Sequence, residues 1–359
     1  MKQHAVPVLL SSIGLSLATS SATIADDLAD DTTIEITRSW SQQPGGWTYP
    51  MAIRVPSTPA PEGGFPVCIL LHGNGGNGDG MLNQYRNQLS THALVAPSGY
   101  QASWNICGEN SDAPDVEMIG ELVTILQGFD NVNPDAIRLL GSSNGASLAN
   151  RVFLENSNPG LDTVCSVVSQ LSDTMAREGA FHRPSDETDQ TQPFCGYDTE
   201  ITPFSGRRYL GISNENDGII PYSGGWSSVG IAFLDSRVAA YEVARSQGYK
   251  GKPILGNGEE IQATNVFKYA YPKDRVIHLR GFANHGMNPT QRDFTVDFLS
   301  TWPVEKDDDA DLNDDGQVNG ADLGLLIAGW GGPSPDLDGS GTVGGGDLGI
   351  LLAGWTTTP

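Results

Sequence analysis

Three residue types in a fixed order carry the chemistry open to this chain: a serine, then an acid, then a histidine. Ser143 stands in "GSSNG", residues 141–145, a G-x-S-x-G pattern between the apolar run Ile137–Leu140 and a helix-compatible segment. Strand, sharp turn, helix is the context that lifts a serine hydroxyl out of a sheet edge as a nucleophile. A hydroxyl alone is weak; it needs a base, and the base needs an orienting acid. On such an elbow the acid follows the serine and the histidine follows the acid. His72 and His92 precede Ser143, which leaves His182, His278 and His285 downstream. His278 lies inside the alternating run "RVIHLR", where a packed ring is expected, and His182 lies in a polar, insertion-like segment. His285, in "GFANHGMNP" directly after the last expected strand, is the candidate base. Asp217, in "RRYLGISNENDGIIPYSGG", is the candidate acid; Glu215 is its rival, and a plain turn-forming role is the alternative for Asp217.

Acyl transfer also needs donors for a developing oxyanion. The backbone N–H of Asn144, next to the serine, is one candidate. The N–H of Asn74 is the other, in the glycine-bearing loop "LLHGNGG" after an early apolar run. No lysine follows "GNGGNG", which argues against a nucleotide-binding loop. Trp104 and Trp226 follow strand ends and are candidate substrate contacts, with core packing as the competing reading for each.

A second pattern lies at the carboxyl end. "DLNDDGQVNGADLGLLIAGW" and "DLDGSGTVGGGDLGILLAGW" align without a gap, Asp311 on Asp336 through to Trp330 on Trp355. Each begins as an EF-hand-type calcium loop, with oxygen donors at positions 1, 3 and 5, glycine at 6 and an acid at 12. The first set is Asp311, Asn313, Asp315, the carbonyl of Gln317, and Asp322; the second is Asp336, Asp338, Ser340, the carbonyl of Thr342, and Asp347. Hard oxygen ligands at this spacing suit Ca²⁺. An acidic disordered tail would not explain why an apolar "DLGxLxAGW" segment repeats in phase with the ligands.

These residues need elements to position them. "FPVCILLHG", "HALVAPSG", "AIRLLGSS", "VCSVVSQLS", "RRYLGISNEND" and "RVIHLRGFANHG" read as buried strands. "DVEMIGELVTILQGF", "GASLANRVFLE" and "FLDSRVAAYEVARSQ" read as helices. Their alternation predicts a doubly wound α/β sheet with functional groups at the carboxyl ends of its strands. Ahead of it, "TTIEITRSW" and "YPMAIRVP" suggest one or two strands separated by a "PGG" turn. The expected division is a signal peptide at 1–25, a catalytic domain at 26–303, a linker at 304–308 and a calcium-binding repeat at 309–359. A leader of this pattern predicts secretion. The formal charge of −23 over 359 residues argues against nucleic acid and anionic membrane partners. Of four cysteines, up to two disulfides can form outside the cell, and the spacing does not choose among the three connectivities.

"LLHGNGG", "GSSNGASLA", "NENDGIIPYSGG" and "NHG" resemble the exported α/β-hydrolase esterases that include polyhydroxybutyrate depolymerases, feruloyl esterases and acetylxylan esterases. Trp104–Asn105 followed by "DAPDVEMIG" echoes the same group, with one aspartate fewer than its usual pair. The paired loops resemble a type I dockerin, a module that docks onto a cohesin. These resemblances imply a secreted serine carboxylesterase on an α/β-hydrolase sheet, with a small helical dockerin-like module behind it. They imply no cofactor for catalysis, structural Ca²⁺ in the tail and a cohesin-type partner. The implied substrate is an ester-bearing polysaccharide or oligosaccharide of plant or algal origin, with feruloyl or acetyl groups. A polyester such as polyhydroxybutyrate is the alternative, and a calcium-dependent binding protein on an inactive hydrolase fold is the reading of another class. The segment 174–200 matches none of these patterns.

Overall fold

Apolar runs too long to alternate become strands covered on both faces. The computed structural model describes residues 26–301, 310–313, 318–337 and 341–355. The expected leader and linker lie outside the described residues. The central sheet has nine strands: β1 (Met51–Arg54), β2 (Phe65–Leu71), β3 (Ala93–Pro97), β4 (Val132–Ser142), β5 (Leu161–Val167), β6 (Arg208–Asn214), β7 (Glu259–Glu260), β8 (Phe267–Ala270) and β9 (Val276–Gly281). Their spatial order is β1-β3-β2-β4-β5-β6-β9-β8-β7. β3, β2, β4, β5, β6 and β9 run parallel, with antiparallel pairings added at both edges by β1 on one side and β8 and β7 on the other. Every residue of β2, β3 and β5 is buried.

The helices are α1 (Gly78–Tyr85), α2 (Asp115–Leu126), α3 (Asn144–Glu155), α4 (Ser236–Ser246) and α5 (Pro289–Ser300), then α6 (Gly320–Ala328) and α7 (Gly345–Ala353) in the C-terminal repeat. Apolar residues pack in two large clusters that account for the sheet's two faces. The chain leaves β2 outward to β3 and returns to the other side of β2 as β4. The carboxyl ends of β2 and β4 therefore flank the point where strand order reverses, the position that favours a functional crevice in such sheets.

Three expectations change. The "PGG" segment is not a turn: it lies inside the strand Gln43–Thr48, which pairs with Thr37–Trp40. Gly46 takes a positive φ of 82° there, a conformation that costs glycine nothing and suits the irregular register. The stretch "GDGMLNQY" is helix rather than the end of a glycine-rich loop. The Asn77 side chain caps this helix, α1, by accepting from Gly80 N–H at 2.8 Å, as a residue at that position is suited to do. Its first glycine permits contact rather than flexibility: a Cβ on Gly78 would stand 2.0 Å from the carbonyl oxygen of Ala96 in β3. Helix α5 is an element beyond the three expected in the catalytic domain. Its capping box, Asn288 with Gln291, opens it just after the histidine loop.

The segment 174–200 folds as a small antiparallel sheet of Ala176–Arg177, Ala180–Arg183 and Thr199–Ile201. One disulfide, Cys107–Cys195, ties it to the loop after Trp104, with Cα atoms 5.3 Å apart. Cys68 and Cys165 stay as buried thiols in the core, so one bridge forms rather than two. Among the described residues no helix is long and apolar enough to cross a membrane.

Candidate active site

Ser143 sits between β4 and α3 with a φ of 54° and a ψ of −119°, a backbone region that L-residues avoid. Strain of this kind costs on the order of 1–3 kcal/mol and persists only where the surroundings enforce it. The enforcing contacts are the two glycines of the pattern. A Cβ on Gly141 would lie 2.0 Å from the carbonyl oxygen of Gly145, and one on Gly145 would lie 2.4 Å from that of Leu71. Neither glycine has positive φ. Their task is close approach, and Ser143 itself takes the unusual conformation. Its N–H is held by the carbonyl of Val167 at 2.9 Å.

The structure brings the three separated residues into one line. His285 Nε2 lies 2.7 Å from Ser143 Oγ, and His285 Nδ1 lies 2.8 Å from Asp217 Oδ2. A carboxylate only accepts, so Nδ1 carries the proton toward Asp217 and Nε2 is left to accept from Ser143. Asp217 follows β6, and its side chain is 1% exposed. Its Oδ1 accepts from the N–H groups of Ile219 at 2.8 Å and Ile220 at 3.0 Å. Both readings of Asp217 therefore hold: one oxygen closes a turn and the other orients the histidine. Burial raises its pKa, but the hydrogen bond from His285 and those from the two N–H groups outweigh it and leave the carboxyl below its ordinary value. The rival Glu215 is engaged elsewhere, by Arg280 at 3.2 Å. His278 is packed, 1% exposed, with burial lowering its pKa to about 3 and Tyr222 Oη at 3.2 Å from Nε2. His182 lies in the small antiparallel sheet.

The loop after β2 lies against the elbow. A Cβ on Gly73 would stand 3.5 Å from that of Ser143. The loop closes on itself through Gly76 N–H to the Gly73 carbonyl at 3.0 Å and is tied down by Gly75 N–H to the Ala102 carbonyl at 2.7 Å. Asn74 is exposed at this turn, and its N–H makes no hydrogen bond among the described residues. Asn144 is the first residue of α3, where an N–H has no intrahelical partner.

Trp104 is corrected by the structure. It is fully buried, and its indole Nε1–H donates to the carbonyl of His72 at 2.8 Å, so it presents no surface to a substrate. The Asn144 side chain, which carries no signal in the sequence, grips the same residue: Oδ1 accepts from Trp104 N–H at 2.7 Å and Nδ2 donates to its carbonyl at 3.0 Å. Asn105 N–H donates to Asp115 at 2.8 Å, and its Oδ1 accepts from Thr188 of the inserted segment. The "WN" pair thus braces the elbow from behind. Trp226 is 78% exposed in a short hairpin pairing Gly225–Trp226 with Ala232–Phe233, the opposite circumstance.

In the C-terminal repeat the closing acids Asp322 and Asp347 are fully buried and fold back over their own loops. Asp322 accepts from the N–H groups of Asn313 at 3.1 Å and Asn319 at 2.8 Å; Asp347 accepts from Leu337 at 2.6 Å and Gly344 at 2.5 Å. Asp311 is buried as well, with Lys273 Nζ 4.0 Å away, and Asp336 Oδ2 accepts from Gly341 N–H at 2.6 Å. Two buried carboxylates in one short loop are costly, a cost that backbone donors and the nearby Lys273 ammonium reduce; the all-oxygen donor set is of the kind a divalent ion takes. Asp315, Gln317, Asp338 and Ser340 lie outside the described residues. Among the described residues no group of three or more His, Cys, Asp or Glu side chains is arranged to hold a metal.

The strand order, the elbow and the order Ser143, Asp217, His285 match the arrangement expected of an α/β-hydrolase sheet. No family model matches it. A protein named "Putative esterase NocK", from Nocardia uniformis subsp. tsuyamanensis, is 30% identical over 126 residues, which are 32% of this chain and 36% of that protein. The chain thus spans about a third of the length of that relative. Similar solved structures include the acetyl xylan esterase from Aspergillus awamori (13% identity, 70% of this chain and 94% of that one, TM-score 0.47). The Bacillus cereus carboxylesterase is another (11% identity, 70% and 93%, TM-score 0.43). At these scores neither carries weight here; the fold and the site rest on their own geometry.

Proposed function

We propose that the chain is a serine carboxylesterase, a carboxylic ester hydrolase working through an acyl-enzyme. The observation that carries this reading is the hydrogen-bonded line Asp217–His285–Ser143, ending at a strained turn whose contacts hold the hydroxyl in place. Ser143 Oγ attacks the ester carbonyl while its proton passes to His285 Nε2. Asp217 holds Nδ1–H and stabilises the imidazolium. The N–H groups of Asn144 and Asn74 receive the developing oxyanion. The imidazolium then protonates the leaving alcohol, and a water activated by the same ring releases the acid.

In this reading the enzyme is exported by its leader and removes feruloyl or acetyl groups from plant or algal polysaccharide. The sequence resemblance and the acidic repeat support it. The repeat docks on a cohesin-type partner, with Asp311, Asn313, Asp322, Asp336, Thr342 and Asp347 among the residues that would hold Ca²⁺. Bound there, Ca²⁺ supplies the positive charge that lets buried carboxylates remain ionised; ester hydrolysis uses none of it.

The test is turnover of 4-nitrophenyl acetate by the wild type and by Ser143→Ala. A fall of at least about 10³-fold is expected, since removing a triad nucleophile leaves only binding and oxyanion stabilisation. Equal turnover would sink the mechanism. A panel of methyl ferulate, acetylated xylan and polyhydroxybutyrate then separates the polysaccharide reading from the polyester one.

A further inference from the structure

His285 occupies the middle of a tight turn closed by Gly286 N–H to the Asn284 carbonyl at 2.8 Å. A turn this short is a small support for a base that must hold two hydrogen bonds at once. The support comes from Asn214, the last residue of β6, which is fully buried. A side-chain amide nitrogen carries two N–H donors, and Asn214 Nδ2 spends both on this turn: one reaches the carbonyl of Asn284 at 3.2 Å, the other that of Gly286 at 2.6 Å. The amide straddles the histidine. Its Oδ1 accepts from Gln291 Nε2 at 2.9 Å, which fixes which way the amide faces. Gln291, fully buried too, is locked by the capping box of α5, with Asn288 N–H donating to Gln291 Oε1 at 3.0 Å and Gln291 N–H donating to Asn288 Oδ1 at 2.9 Å. Gly281 makes room for the pair: a Cβ there would lie 2.5 Å from both Asn214 Oδ1 and Gln291 Nε2. The backbone carbonyl of Asn214 meanwhile accepts from Asp217 N–H at 3.2 Å.

We infer that Asn214 is a positioning residue: with its amide on both sides of His285 and its carbonyl on Asp217, it sets base and acid relative to each other. Without the two donors, the carbonyls of Asn284 and Gly286 lose the side chain that ties them together, and the turn relaxes by rotating His285 away from Ser143 or Asp217. The inference rests on Ser143 as nucleophile. The two fail differently, because Ser143→Ala tests the nucleophile and Asn214 variants test the support.

Asn214→Asp keeps the shape and the acceptor for Gln291 but turns lone pairs toward both carbonyls. We expect kcat for 4-nitrophenyl acetate to fall at least tenfold with KM changed less than twofold. The short His285 Nδ1–Asp217 contact predicts a far-downfield Nδ1–H proton resonance in the wild type, which we expect to shift or vanish in the variant. A core residue that only adds stability would lower the melting temperature and move neither reading in the folded fraction. If Asn214→Asp does not fold, Gln291→Glu decides by the same readings: it removes the donor that orients the Asn214 amide and should give a smaller loss of kcat in the same direction. Wild-type kcat with an unmoved His285 resonance, in whichever variant folds, overturns the inference. The resonance reads the support even in a protein that turns over none of the esters tried.

Discussion

The carboxyl edge of the sheet and the C-terminal repeat both gather acidic and polar side chains, and they differ in what supports them. At the sheet edge the charged side chains of the site meet side-chain partners supplied by the fold. Asp217 accepts from Ile219, Ile220 and His285, Ser143 has His285, and Glu215 has Arg280. The support is a large buried sheet. In the repeat, a small cluster among the described residues, Ala310, Val318, Leu326, Val343 and Leu351 with four half-buried leucines against it, carries several buried or half-buried carboxylates that accept from backbone N–H groups. Its two copies are stitched by Gly331 N–H to the Val343 carbonyl at 2.9 Å and Val343 N–H to the Gly332 carbonyl at 2.8 Å. Preorganisation by packing asks nothing of the solvent. On the proposed Ca²⁺ reading, a small acidic module is preorganised by a cation as well as by its fold. The first region should therefore be insensitive to chelation and highly sensitive to single hydrogen bonds, and the second the reverse.

The largest effect that could break this contrast lies in the triad. Asp217→Asn removes the acceptor that fixes the histidine tautomer, and kcat should fall about 10³- to 10⁴-fold with the fold intact. A loss under tenfold would mean that packing, not Asp217, orients His285.

Next comes the bridge Cys107–Cys195, which closes a long loop between the inserted segment and the brace behind the elbow, at a sequence separation of 88. Reduction, or Cys107→Ser, should cost about 2–4 kcal/mol of unfolding free energy in denaturant titration. Unchanged stability would show that the inserted sheet is held by its other contacts.

Smaller still is the effect of calcium. Adding Ca²⁺ at a hundred times its dissociation constant should stabilise the repeat by about 2.7 kcal/mol. The readout is the fluorescence of the half-exposed Trp330 and of Trp355, while ester hydrolysis stays the same. Loss of hydrolysis on chelation would abolish the contrast between the regions.

A last effect, spread over several pH units, concerns Asp115. Burial pushes Asp115 up to about 7, despite the hydrogen bonds it accepts from Asn105 and Tyr49. A raised acid stabilises fully below its unfolded value, and that contribution is lost as pH rises through the folded one. The melting temperature should therefore decline between about pH 4 and 7 more steeply in the wild type than in Asp115→Asn. Equal slopes would show that Asp115 does not titrate in this window. Asp217 has the opposite sign: its depressed pKa adds stability present above the ordinary carboxylate range and lost as pH falls through the folded value.

Ser143, Asp217 and His285 were legible because each follows its own apolar run, and a parallel sheet brings the carboxyl ends of such runs together. The parallel strands were legible for the same reason. What could not be read depends on close approach or on distant partners. Helix α1 hid behind glycines that look like a loop and are there for contact with Ala96. The burial of Trp104 follows from the grip of Asn144, far along the chain, and no local pattern marks it. Asn214 and Gln291 form a buried amide pair between distant elements, and each alone looks like a surface polar residue. The disulfide pairing depends on the inserted sheet lying beside the loop after Trp104, which cysteine spacing does not encode.

The central claim, a nucleophilic serine activated by His285, is tested most directly by mapping the adduct of a fluorophosphonate ester by mass spectrometry. The account predicts one covalent adduct on Ser143, absent in Ser143→Ala and formed far more slowly in His285→Ala. An adduct on another residue, or equal labelling of Ser143→Ala, would contradict it.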